Sequence, residues 1–404
     1  MPQSPTRLSL CVAFSGALIS AFAQASEVTN QLAHDAIIVD THIDAPGAVI
    51  GKWADLAQQA DDREFDYPKA RKGGLDVAWM AIYTSPKQDN DGSAWQVANE
   101  MIDSVEALVH RHPDKFAIPT SPKDVRRQLE GGRVLLPLGM ENAAPLGDKI
   151  ENVKFFFDRG IRYIGLVHSA NNRLADSSYQ LKKQWNGLSP FGREIVAEMN
   201  RLGIIVDVSH LGDASAKETI ALSKVPVIAS HSSFRHFTPE FERNISDELA
   251  KAIAEKDGVV QVAFGTMFVD PKSAAATQAY FRAVADFEQR NAELKAQGKP
   301  EESLDAFDKA WEAANPPGVS TLAQVLDQID YGVKLLGVDH VGLGSDYDGV
   351  GGKLPPELKT TADFPNLVTG LQQRGYKDAD IRKILGGNLL RVWEAVESGA
   401  QRGR

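Results

Sequence analysis

The chain has 404 residues, 43% of them apolar and 24% charged, which is the composition of a folded protein with ample material for a core. A formal net charge of −10 argues against a nucleic-acid partner, because an acidic surface repels phosphate backbones. The one cysteine, Cys11, falls in a leader segment, which leaves the mature chain without disulfides, thiolate nucleophiles or Cys-zinc modules. Arg7, the uncharged apolar run 8–23 and the small-x-small sites Ala21-Phe22-Ala23 and Ala23-Gln24-Ala25 predict a signal peptide over 1–25. The run is short for a membrane anchor. The expected product is 26–404, a single exported domain, periplasmic or secreted, with no stable membrane anchor after cleavage.

Eight short apolar runs then read as strands, at 37–44, 75–83, 134–141, 163–168, 204–210, 225–231, 259–264 and 341–346. Amphipathic stretches such as 94–110, 190–202, 246–256 and 321–336 separate most of them. Eight strand-helix alternations predict an α/β fold closed into a (β/α)8 TIM-like barrel, with an open doubly wound sheet as the alternative. More than fifty residues rich in Ala, Glu, Lys and Gln separate the seventh run from Thr321. Helical composition at 275–297 and 301–314, broken by Gly298-Lys299-Pro300, predicts a helical insertion over 270–320. It would serve as a lid, as a subunit contact in a homodimer, or as a solvated excursion.

The ionisable residues collect at strand ends. The first run ends in His42-Ile43-Asp44, the third in Glu141, the fourth in His168, the fifth in His210, the sixth in His231 and the eighth in Asp346. In a parallel barrel these ends meet on one rim, where barrel enzymes place their chemistry. A single strand-end histidine or carboxylate is more often structural; the conjunction of seven is not. His34, His110, His112, His236 and His340 fall elsewhere and carry no ligand role. Imidazole and carboxylate together favour zinc or a similar divalent ion over calcium. Five candidate ligands exceed what one catalytic zinc takes from protein, whereas two ions sharing a carboxylate would use them all and could hold a hydroxide between them.

The segments His42-Ile43-Asp44, Gly139-Met140-Glu141-Asn142, Leu166-Val167-His168-Ser169-Ala170-Asn171, Asp207-Val208-Ser209-His210, Ser230-His231-Ser232-Ser233, Arg243-Asn244 and Gly344-Ser345-Asp346-Tyr347-Asp348-Gly349 resemble, in the same order, the membrane dipeptidase (renal dipeptidase) family. The resemblance implies a metallo-dependent hydrolase barrel holding two zinc ions, with His42 and Asp44 on one, His210 and His231 on the other, and Glu141 bridging. It implies that His168 polarises the scissile carbonyl, that Arg243 holds the terminal carboxylate of a dipeptide, and that Asp346 carries the proton. Asp348 competes with Asp346 for that role, but Asp346 directly ends the apolar run. The expected reaction is dipeptide hydrolysis by a metal-bridging hydroxide, with a D-residue tolerated at the second position.

Two departures concern the pocket. Gly47 follows Pro46 where the family often has an aromatic residue, and Phe264-Gly265-Thr266 follows the seventh run where some members carry a bulky one. Both changes are expected to widen or reshape the side-chain pocket. That keeps open a second hydrolase reading, cleavage of an N-acyl amino acid, a lactam or a lactone. A third reading, a metal- or peptide-binding protein without turnover, has no use for His168 and Asp346.

Overall fold

The computed structural model describes residues 31–129, 131–316 and 318–400. The signal segment and Cys11 lie outside them. Eight parallel strands follow one another around a barrel: β1 Ile38–Ile43, β2 Leu75–Tyr83, β3 Leu138–Glu141, β4 Ile161–Gly165, β5 Ile205–Asp207, β6 Val227–Ala229, β7 Val259–Val262 and β8 Val341–Leu343. Each pairs with its sequence neighbour, from β1–β2 through β7–β8. A parallel bridge between Ile43 and Tyr347 closes the ring, with Asp44 N donating to Tyr347 O at 2.8 Å and Asp346 N to His42 O at 3.2 Å. The closed barrel, not the open sheet, is the architecture, and closure removes both sheet edges.

Nearly every strand residue is buried, as expected where helices cover the outside and side chains fill the inside. The run 134–141 is two strands rather than one. Pro137, which has no N–H for the ladder, separates β3 from a short strand Val134–Leu135 that pairs with Phe116–Ala117 below the barrel. Outer helices such as Pro190–Leu202, Asp247–Glu255 and Leu322–Leu336 begin at Ser189, Ser246 and Thr321, whose side chains accept a first-turn backbone N–H.

The C-terminal helix Asn388–Ser398 plugs the lower end of the barrel. Trp393 stacks on Trp79 at 4.8 Å, Trp79 on Tyr163 at 5.1 Å, and the Tyr163 hydroxyl meets His42 Nδ1 at 2.8 Å. Apart from the buried Trp79 Nε1, this column is apolar below the Tyr163 hydroxyl. The insertion after β7 is helical, as expected. Its main helix begins earlier than composition suggests, running Pro271–Ala296 from Asp270, whose side chain caps Ser273 N at 2.8 Å; Leu304–Ala314 completes the hairpin. Phe281 leans on Tyr179 at 4.4 Å and thereby joins the hairpin to the rim.

Candidate metal centre

Only Glu141 ends its strand as read from the sequence. His168, His210 and Asp346 lie three residues beyond β4, β5 and β8, and His231 lies two beyond β6. The chain leaves each strand before its functional residue, and at His210 (φ 69°) and Asp346 (φ 67°) the backbone is left-handed. Such geometry is strained for a residue with a Cβ and persists only where the surroundings impose it. Its effect is to turn both side chains back over the barrel mouth.

There the donors converge. His210 Nε2 and His231 Nε2 are 2.9 Å apart, and Glu141 Oε1 lies 2.8 Å from the first and 3.1 Å from the second. The other Glu141 oxygen is 3.5 Å from His42 Nε2, which is also 3.4 Å from Asp44 Oδ2. Donor atoms of His42, Asp44 and Glu141 lie within 4.8 Å of one another, as do those of Glu141, His168 and His210, and those of His42, His231 and Asp346. All seven predicted side chains therefore form one connected cluster. His42 Nε2 is buried without a hydrogen-bond partner, a costly arrangement for a polar atom unless a ligand completes it. Imidazole and carboxylate donors grouped in this way fit divalent cations of the zinc type.

Outer hydrogen bonds set the ring orientations. His231 Nδ1 meets Ser230 Oγ at 2.7 Å, and Ser230 Oγ donates to Asp207 Oδ2 at 2.5 Å. His42 Nδ1 meets Tyr163 OH. A proton held on each Nδ1 leaves the Nε2 lone pair facing the cluster, the arrangement a metal-binding histidine needs. Gly139 makes room for this: a Cβ there would lie 2.0 Å from Tyr163 Cζ.

Burial, Arg243 and His168 keep His210 well below the usual imidazole range; burial, His42 and Arg243 do the same for His231. Both rings are thus neutral, as ligands must be. At His42 burial opposes charge, but Tyr163, Glu141 and Asp44 outweigh it and raise the ring well above its ordinary value, so a metal bound at Nε2 would have to displace a proton there. Burial would raise Glu141 too, yet His42, His168, His210 and His231 hold it well below the carboxylate range. Asp346 is pushed up to about 8, by burial first and then by Asp44.

The cluster opens into a cavity of about 610 Å³ lined by Asp44, Glu141, His168, His210, His231 and Asp346 on one side and by Gly47, Ile50, Val97 and Met101 on another. Gly47 does open the pocket: a Cβ there would meet only Met101, at 3.7 Å. Gly265 does not. A Cβ at Gly265 would lie 2.7 Å from Val350 and 3.0 Å from Phe268, so that glycine serves close packing and is absent from the cavity wall. Arg243 is 2% exposed; it donates through Nη1 to Ser232 Oγ at 2.6 Å and through Nη2 to His231 O at 2.8 Å, with Nη2 also 3.0 Å from His210 Nε2. It stands behind His210 rather than in the cavity wall. Asp348 also lines the cavity, but its carboxylate accepts from Glu64 N at 2.8 Å and Phe65 N at 3.3 Å, which ties down the neighbouring loop.

A sequence model of the membrane dipeptidase family (Peptidase family M19) matches residues 26–404. The chain belongs to this family. Dipeptidase aclJ of Aspergillus oryzae is 29% identical over 345 residues, which are 84% of this chain and 71% of that one. Dipeptidase tcpJ of Claviceps purpurea is 27% identical over 359 residues, 85% of this chain and 73% of that one. Among solved structures, the probable dipeptidase PvdM of Pseudomonas aeruginosa superposes with a TM-score of 0.79 at 26% identity, covering 94% of this chain and all of that one. A metallo peptidase of Rhodobacter sphaeroides, liganded with a phosphinate mimic of the dipeptide L-Ala-D-Ala, shares the fold with a TM-score of 0.72 at 23% identity over 89% of this chain and 99% of that one.

As a membrane dipeptidase family member, the chain is a hydrolase of the metallo-dipeptidase type. Residue-by-residue reading passed over several parts of its centre. Tyr163, Ser230 and Asp207 orient the His42 and His231 rings yet bear no metal-ligand signature. Asp207 and Ser230 stand inside the motifs around His210 and His231, and that adjacency was their only signal. Gly349 is a second silent component: a Cβ there would lie 2.3 Å from Asp44 Oδ2 and 2.5 Å from Asp346 Oδ1. His112, His236 and His340 have other partners: Asp55 at 3.2 Å, the Tyr331 ring at 4.2 Å and Gly258 O at 2.8 Å.

Proposed function

We propose that this protein is an exported zinc dipeptidase with two metal ions, His42 and Asp44 on one, His210 and His231 on the other, and Glu141 shared. The observation that carries the reading is the meeting of two imidazole nitrogens and one carboxylate oxygen within about 3 Å. When bound, the ions would supply Lewis acidity and a water acidic enough to attack an amide near neutral pH.

The protein's own groups do the rest. His168 is kept neutral by burial, against the pull of Glu141, and can donate a hydrogen bond to the carbonyl oxygen as charge develops there. Asp346 would take a proton from the attacking water and pass it to the departing amine. Arg243 is the anchor for the terminal carboxylate, for which a guanidinium is well matched. For this, Arg243 Nη2 would exchange its contact with His210 Nε2 for the substrate. The unfilled space at Gly47 favours, as a second reading, a bulkier small amide or ester, such as an N-acyl amino acid, lactam or lactone.

Metal analysis of the purified protein together with a panel of L,L and L,D dipeptides and N-acyl amino acids tests both. The expected result is about two divalent ions per chain and turnover of dipeptides of either configuration. Inert dipeptides beside consumed acyl amino acids would replace the first reading with the second. Full activity in the metal-free protein would end both.

A further inference from the structure

Building on the dipeptidase reading, we propose that a second cavity, beneath the inserted hairpin, is the subsite for a large aromatic or apolar side chain on the amino-terminal residue of the dipeptide. This cavity, about 590 Å³, lies between helices Pro271–Ala296 and Leu304–Ala314 and the loop after β8, and its size suits a small-molecule site. Met267 and Gly349 line both it and the metal-centre cavity. The two spaces thus adjoin at one glycine and one flexible thioether, a side chain that adapts easily to its neighbours. Gly349 is also the residue packed against the Asp44 and Asp346 carboxylates. A substituent leaving the reacting centre at that end meets Met267 first and the hairpin next.

The wall suits an aromatic guest. Tyr280 and Trp311 meet edge to face at 5.9 Å, and Ala276 and Val350 add apolar surface. The Tyr280 hydroxyl is already satisfied, donating to Asp308 Oδ1 at 2.8 Å. Lys353 and Glu312 pair with each other at 3.4 Å across the exposed gap between loop and hairpin. The direction follows from the two ends of the cluster. Arg243, the carboxylate anchor, touches His210, whereas the opening lies at Asp44 and Asp346. With the carboxyl-terminal residue held at the first end, the hairpin cavity falls to the amino-terminal one.

The test compares phenylalanyl-glycine, glycyl-phenylalanine and alanyl-glycine on the metal-loaded enzyme, its Trp311→Ala variant and its Ala276→Trp variant, which fills the cavity. Helix Leu304–Ala314 has no buried residue, so the first change spares the core; circular dichroism and Tm check both. The expected result is a fall in kcat/KM for phenylalanyl-glycine of roughly 3- to 10-fold in Trp311→Ala, a larger fall in Ala276→Trp, and alanyl-glycine unchanged in each. Equal effects on all three substrates, or an effect confined to glycyl-phenylalanine, would overturn the assignment while leaving the dipeptidase intact. A wild-type enzyme inert toward all three dipeptides would remove the dipeptidase reading and this subsite together.

Discussion

His210 Nε2 and His231 Nε2 face each other across 2.9 Å in the protein interior, with Glu141 Oε1 beside both. Two imidazole nitrogens brought this close repel unless a proton or a cation lies between them. Burial alone would favour apolar packing there, since desolvating polar atoms costs free energy that only a partner restores. A cation held among them would resolve the arrangement.

Removing a ligand should unload the centre. His210→Ala is expected to abolish dipeptide hydrolysis and to lower the metal content of the purified protein, read by elemental analysis. Glu141→Gln should be worse, because one substitution takes the anionic oxygen from both sides of the cluster. Unchanged metal content in Glu141→Gln would show that this carboxylate is not shared.

The outer hydrogen bonds should tune affinity without being ligands. Ser230→Ala breaks the link from Asp207 to His231, and Tyr163→Phe removes the partner of His42 Nδ1. Each is expected to weaken metal binding by roughly 10- to 100-fold, measured by competition with a chromophoric chelator. Ser230→Thr keeps the hydroxyl and should retain more of the affinity than Ser230→Ala.

Gly349→Ala places a methyl group 2.3 Å from Asp44 Oδ2 and 2.5 Å from Asp346 Oδ1. Those carboxylates must shift, so activity should fall by at least 100-fold, a loss of the order seen when reacting groups move by about 1 Å. Thermal unfolding should change little by comparison, since the loop stays anchored through Asp348 to Glu64 and Phe65. A fully active variant would show that the carboxylates do not need their present positions.

Stability should carry a pH signature from Asp76. Its carboxylate accepts from Ile38 N at 3.1 Å and thereby joins β1 to β2, but burial, only partly offset by that bond and by Arg71, raises it from 3.8 to about 6. A folded-state value above the unfolded one means that the native protein binds more protons between the two. The favourable contribution is therefore complete below about pH 4 and is lost as pH rises through 6. Asp76→Asn should gain on the wild type over that window, by at most about 3 kcal/mol. Denaturant unfolding of both proteins at pH 4.5 and 7 measures it, and a pH-independent difference would show that Asp76 ionises normally.

Much of this protein was legible from its residues alone. Eight apolar runs and the amphipathic stretches between them dictate a parallel barrel, because backbone pairing and burial act on local pattern. The order of His42, Asp44, Glu141, His168, His210, His231 and Asp346 at the ends of those runs already pointed to a metal hydrolase, since such donors rarely collect on one rim without a cation to bind. What tertiary structure alone decided is where those side chains point. Strand periodicity stops at Asp207 and Leu343, and the left-handed turns at His210 and Asp346 are imposed by packing around them. The same holds for Gly265, which packs rather than opens, for Tyr163 reaching His42 across 121 residues, and for the hairpin meeting the rim at Met267 and Gly349. Such contacts depend on distances between segments remote in the chain, and no local pattern of residues encodes them.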